Sequence, residues 1–130
     1  GNERRTRRDR LVPSTAFTDP QLARVGLTER EATEAGVDYE VATMPFGRVA
    51  RAVETQQPAG LMKVLVSPDT ERILGAVILG AQAGELIHVF SMIMQAGASA
   101  QTLVDAEMVH PTFAEGLQTL VMRLDRYSLS

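Results

Sequence analysis

Two β-rich runs, Leu61 to Ser67 and Arg72 to Leu79, are separated only by Pro68-Asp69-Thr70-Glu71. Four residues of turn chemistry fold such runs back on each other as a hairpin. Apolar residues occupy both alternations of each strand, so the sheet is expected to be covered on both faces, at least at its centre. From about Gly84 to Ala96 the period changes to that of a helix, and Gly97 supplies the stop. Leu86, Ile87, Val89, Phe90, Met92, Ile93 and Met94 cover most of its circumference, leaving Glu85, His88, Ser91 and Gln95 as a narrow polar stripe. A helix this apolar needs packing on more than one side, from its own sheet and from another chain or domain.

The rest of the chain builds around that unit. Val12 to Thr18 reads as extended, ended by Asp19-Pro20. Thr28 and Glu31 have capping-box spacing, and Gly36 is placed to end a short helix from about Glu29 to Ala35. Tyr39, Val41 and Thr43 alternate with Glu40, Ala42 and Met44 in a strand reaching about Phe46, where Pro45 marks an edge or a bulge. Arg48 to Ala59 has no decisive period. A shorter helix spans about Ala100 to Asp105. A final helix follows His110-Pro111, with Phe113, Leu117, Leu120, Val121 and Leu124 on one face, and Leu124 to Ser130 is expected to fray. The result is an α+β domain with a mainly antiparallel β-sheet and packed helices.

At 130 residues the chain suits one domain, able to bury about two-thirds of its unfolded surface. Residues 1–10, with Arg4, Arg5, Arg7, Arg8 and Arg10, read as a basic solvated linker before a domain over 11–130. The opening Gly1-Asn2-Glu3 reads as the start of an excised segment. A net charge of -3 gives no general attraction to nucleic acid. The apolar stretches end well before the roughly 20 residues of a membrane span. Zero cysteines exclude disulfides and thiolate metal sites. His88 beside Glu85 reads as a solvated or interface stripe, and it lies too far along the chain from His110 for a helical zinc motif, so no metal site is assigned. Gly75, Gly80 and Gly84 run from strand to helix without the Lys-Ser/Thr ending of a phosphate loop.

His110-Pro111-Thr112-Phe113-Ala114-Glu115 carries the chemistry. A carboxylate five positions after a histidine can orient the ring and favour its charged form. Thr112 and Glu115 also fit a capping box, which by itself accounts for both residues. The two readings are compatible, with Glu115 serving the helix start while its outer oxygen meets His110. The chain offers no cysteine and no obvious nucleophile for the pair to serve, so its target must lie in another segment or another chain.

Five pieces in order, Ala16-Phe17-Thr18-Asp19-Pro20, Val25-Gly26-Leu27-Thr28, Arg72-Ile73-Leu74-Gly75-Ala76, Gly84-Glu85-Leu86-Ile87 and His110 to Glu115, resemble the C-terminal dimerisation domain of the flavoprotein pyridine nucleotide-disulfide oxidoreductases. Glutathione reductase, dihydrolipoamide dehydrogenase and mercuric reductase represent that group. The resemblance runs from about Leu11 to Leu124. It implies flavin-binding and nicotinamide-binding domains upstream, FAD and NAD(P)H as cofactors of the full-length enzyme, a two-fold homodimer and a cytoplasmic location. It further implies that His110 and Glu115 are the catalytic acid/base pair, acting on the redox-active cysteines of the partner subunit. The His110 main-chain carbonyl would lie near the partner's flavin, and the bond to Pro111 would be cis. No cofactor is expected on the 130-residue segment alone, which should be inactive.

Departures narrow the resemblance. Mercuric reductases generally carry a tyrosine-containing segment in place of His-Pro-Thr and a cysteine pair near the C-terminus, and this sequence has neither. The redox-active tail of the large thioredoxin reductases is also missing from Arg123 to Ser130. A disulfide or related sulfur-substrate reductase and a dihydrolipoamide dehydrogenase remain. The alternative from another class is a stand-alone homodimerisation or interaction module without catalysis.

Overall fold

Strands with one apolar and one mixed alternation assemble when their apolar sides share a register, and here that register is legible residue by residue. The computed structural model describes residues 12–49 and 59–127. β1 (Ser14–Ala16), β2 (Leu22–Gly26), β3 (Glu40–Pro45), β4 (Leu61–Val66) and β5 (Ile73–Leu79) form one five-stranded sheet in the order β1-β2-β5-β4-β3. Every neighbouring pair is antiparallel. Met62 stands between Met44 and Ile78, Val64 stands between Ala42 and Ala76, and Ala23 and Val25 continue the rows on β2. All eight of these side chains are buried. Pro45 ends β3, an edge strand, where its missing N–H costs the ladder nothing.

The helices α1 (Glu29–Glu34), α2 (Ala83–Gln95), α3 (Gln101–Asp105) and α4 (Glu115–Met122) follow in chain order. α2 packs across β5, β2 and β1, and α4 packs across β3 and β4. Their Leu86, Ile87, Phe90, Leu117, Leu120 and Val121 join the sheet residues in one core. The opposite face of the sheet is different. There Leu65 is buried, near the end where Glu29 of α1 reaches Lys63 at 2.6 Å, but Leu22, Val41 and Leu61 remain 42%, 40% and 38% exposed. Cover on both faces therefore holds near the centre, at Leu65 and Gly75, and stops at the margins, where Val41 lies on the edge strand β3 and Leu22 and Leu61 begin β2 and β4. Both longer helices are spent on one side, and the six-residue α1 is too short to cap all of the other; apolar alternation records what a face prefers, not what covers it. Gly75 belongs to this second face, and the backbone of Leu27 runs directly over it, where a Cβ would collide with the Leu27 carbonyl. Leu27 N–H donates to Leu74 O at 3.0 Å across the same contact.

Local signals explain the turns. Thr28 Oγ1 accepts from Glu31 N–H at 3.1 Å while Thr28 N–H donates to Glu31 Oε1 at 3.3 Å, a complete capping box. Gly36 (φ 68°) and Gly97 (φ 69°) end their helices in the left-handed region. In the β4–β5 turn, Ser67 Oγ accepts from the N–H groups of Asp69 and Thr70. Ser91, placed by periodicity on a polar stripe, is buried, and its Oγ accepts from Gln95 Nε2 at 3.0 Å. No helix among the described residues is long and apolar enough to cross a membrane.

The C-terminal reading needs correction, because the chain is pinned through Tyr127. Leu124 is buried, and a 3-10 turn, Asp125–Tyr127, follows. Arg126 donates from Nε and Nη2 to the two carboxylate oxygens of Glu40 at 3.2 and 2.9 Å, and from Nη2 to Pro68 O at 2.7 Å. The hydrogen bond to Glu40 is the main cause holding its guanidinium above its usual pKa. Tyr127 donates to Glu71 Oε2 at 2.9 Å. Burial first, then that hydrogen bond and the Glu71 charge, push the phenol up to about 12. Charge pairs far apart in sequence, which no local pattern records, replace the expected fraying. The basic linker (residues 1–10), most of the stretch from Arg48 to Ala59 and residues 128–130 lie outside the described residues.

Candidate functional site

The histidine segment leaves α3 at Ala106 and enters α4 at Glu115, so it is held at both ends by helices. At its upstream end the Gln118 side chain donates from Nε2 to the carbonyls of Leu103, Val104 and Ala106, at 3.0, 3.1 and 2.7 Å. At its downstream end Phe113 stacks on Phe46, and Gly116 packs directly on Val49. The His110–Pro111 bond is cis, as is Asp19–Pro20. Thr112 Oγ1 donates to Val109 O at 2.8 Å and accepts from Glu115 N–H at 3.2 Å.

Only half of the expected capping box is built at this helix. Thr112 does its part, but α4 begins at Glu115, and Phe113 lies ahead of the helix rather than on its first turn. The Glu115 carboxylate instead turns outward, with Oε1 at 2.6 Å from His110 Nδ1. Its negative charge also sits favourably at the helix N-terminus. A sequence-spaced carboxylate with two possible partners has taken the imidazole.

The pair is asymmetric in exposure. The His110 side chain is 72% exposed and that of Glu115 only 17%. A carboxylate can only accept, so Nδ1 carries the proton toward Glu115, which leaves the lone pair on Nε2. The ring thus presents a proton acceptor to whatever approaches from outside. Beside it Val109 is 75% exposed. Among the described residues no three His, Cys, Asp or Glu side chains gather to hold a metal ion. His88 lies on the exposed side of α2 within the same helical turn as Glu85, and neither joins the His110 pair. The strand-to-helix glycines are packing positions: Gly80 lies against the Phe46 ring, and Gly84 N–H donates to Gln21 Oε1 at 3.1 Å.

Sequence reasoning placed His110 and Glu115 together and missed what supports them. Phe46 and Gly116 left a faint signal, an aromatic at a strand end and a glycine inside an amphipathic helix. Gln118 left none.

An antiparallel sheet backed on one face by helices is an architecture shared with known proteins. Residues 12–121 match the family described as pyridine nucleotide-disulphide oxidoreductase, dimerisation domain, and the chain belongs to that family. Its relatives are disulfide oxidoreductases. It is 37% identical over 111 residues to the mitochondrial dihydrolipoyl dehydrogenase of Schizosaccharomyces pombe, covering 85% of this chain and 22% of that protein. It is 34% identical over 117 residues to the mercuric reductase of Staphylococcus aureus, covering 90% of this chain and 21% of that one. The solved structure of the HOCl-induced flavoprotein disulfide reductase RclA from Escherichia coli superimposes with a TM-score of 0.82 at 37% identity, covering 85% of this chain and 25% of that chain. The chain therefore spans about a quarter of the length of the relatives it matches.

Proposed function

We propose that this domain belongs to a homodimeric, FAD- and NAD(P)H-dependent disulfide oxidoreductase of the cytoplasm, and that His110 and Glu115 serve the redox-active cysteines of the partner subunit. One observation carries the reading. A histidine exposed over 72% of its side chain is aimed by a carboxylate exposed over only 17%, in a sequence that contains no cysteine for it to act on. A proton-transfer pair facing outward from a domain without a nucleophile suits a target in another segment or another chain, and the exposed apolar side of α2 favours the latter. The apolar outer side of α2 supports the dimer, since Met92 is 69% exposed and Val89 and Ile93 beside it are half-buried.

The chemistry follows from thiol–disulfide exchange, in which an attacking thiolate forms a sulfur–sulfur bond as a leaving thiolate departs. His110 Nε2 removes the proton of the attacking thiol and returns it to the departing sulfur, so protons and electrons balance within the exchange. Glu115 keeps the ring in one tautomer and stabilises its cationic form between the two transfers. Such general acid/base help is worth roughly a hundred- to ten-thousand-fold in rate. The substrate is a disulfide, a related sulfur compound or a dihydrolipoamide. Alone, the segment is expected to be inactive, because it brings no thiol.

The segment also fits the edge of a flavin. Among the described residues no hydrogen bond ends on the His110 carbonyl, and the residue is exposed beside the half-buried Pro111, so the carbonyl is free to accept an N–H from a ring edge. When bound, a flavin supplies electron relay between nicotinamide and disulfide. His110→Ala in the intact enzyme, followed by rapid mixing, tests the assignment: the thiol half-reaction should slow while reduction by the nicotinamide stays nearly unchanged. A thiol step at the wild-type rate would return His110 to a structural histidine and Glu115 to a helix cap.

A further inference from the structure

Resting on that reading, a third side chain belongs to the apparatus. α3 has only five residues, and where the chain turns toward His110 Leu103 O accepts from Ala106 N–H at 3.3 Å, whereas no backbone N–H among the described residues reaches Val104 O or Ala106 O. Gln118 meets them. Its Nε2 lies 3.0 Å from Leu103 O, 3.1 Å from Val104 O and 2.7 Å from Ala106 O. Three carbonyl neighbours fix the amide orientation, since only the –NH2 end can satisfy them, with its two hydrogens shared among three acceptors. Gln118 also sits on α4 three residues after Glu115, within one helical turn.

We propose that Gln118 is a positioning residue, whose amide ties the end of α3 to the helix that begins at Glu115 and so sets the path of the chain that delivers His110. Four residues after Ala106 the chain reaches His110, and Glu107, Val109 and His110 along that path are exposed. Packing therefore holds the upstream half weakly. The downstream half has its own anchors in Thr112 and Phe113. Thr112 ties Val109 O to the Glu115 N–H, and Gln118 is the polar link that ties the end of α3, where the path to His110 begins, to the same helix. Without Gln118 the 2.6 Å contact loses its fixed approach.

The test uses the intact enzyme. Gln118→Leu keeps the bulk and removes the donors. It should slow the thiol half-reaction by roughly ten- to a hundredfold, the scale of a displacement of about 1 Å, with flavin reduction by the nicotinamide unchanged. Gln118→Lys brings three donors to a helix C-terminus where positive charge is favoured, and it should recover most of the lost rate. A folded, dimeric Gln118→Leu enzyme with a wild-type thiol step would overturn the proposal. If that variant does not assemble, Gln118→Lys is compared with Gln118→Glu, which has similar reach but no donors when ionised: a fast Lys variant and a slow Glu variant support the link, and equal rates overturn it. His110→Ala run in parallel separates the two readings. A slow His110→Ala beside an unaffected Gln118→Leu removes the positioning role alone, whereas an unaffected His110→Ala removes both.

Discussion

Phe113 stacks on Phe46 with ring centroids 5.8 Å apart and planes at 21°, so the aromatic between His110 and Glu115 in sequence is anchored to the 3-10 turn Phe46–Arg48 that follows the edge strand β3. Phe46 is fully buried and itself packs under Gly80. The site loop and the sheet edge are thus one packing unit. A double-mutant cycle of Phe46→Leu and Phe113→Leu, read by urea unfolding, should give a coupling energy of about 0.5–1.5 kcal/mol. Additive losses would mean that the rings merely share a neighbourhood.

Gly116 should tolerate no side chain while Val49 is present. A Cβ at Gly116 would meet Val49 Cγ2 at 2.7 Å and Cγ1 at 3.1 Å, and a β-branched residue has little freedom to withdraw. Gly116→Ala is expected to destabilise by about 1–3 kcal/mol. Val49→Ala opens the space, so the double variant should unfold at a higher urea concentration than the sum of the two single losses implies. Strict additivity would place the clash elsewhere.

Alkaline pH should expose the Tyr127–Glu71 contact. The folded-state phenol is raised to about 12 from an ordinary 10.0, so the folded protein holds this proton more tightly than the unfolded chain. Its contribution is complete below pH 10 and declines as pH rises toward about 12. Tyr127→Phe has no such proton. Plotted against pH, the wild-type urea midpoint should fall more steeply than that of the variant across this window, and parallel curves would show that the hydroxyl is not held as described.

Four of the five strands and the first helix were legible because their signals are local; β2 (Leu22–Gly26) was not read as a strand. Alternation in Tyr39 to Met44, the four-residue turn after Ser67 and the Thr28–Glu31 box each specify their own geometry. The His110–Glu115 contact was legible too, since five residues of separation limit where a carboxylate can reach. What the sequence withheld is long-range. Nothing about Arg126 announces Glu40, which lies 86 positions away, and nothing about Gln118 announces the carbonyls of α3. The margins of the sheet's second face were hidden for a related reason: Val41 and Leu61 look like core residues, and whether a layer arrives to bury them depends on where two distant helices settle.

Hybrid dimers of the intact enzyme test the central claim most directly. One chain carries His110→Ala with its redox-active cysteines intact, and the other carries His110 with those cysteines replaced by serine. If His110 serves the partner, each hybrid contains one complete site, and random mixing of equal amounts should restore about a quarter of wild-type activity from two nearly inactive parents. If His110 serves its own chain, or no thiol at all, no hybrid site is complete in the required way. Mixing would then yield only the activity of the parents, and the account of an acid/base pair supplied across the dimer would be contradicted.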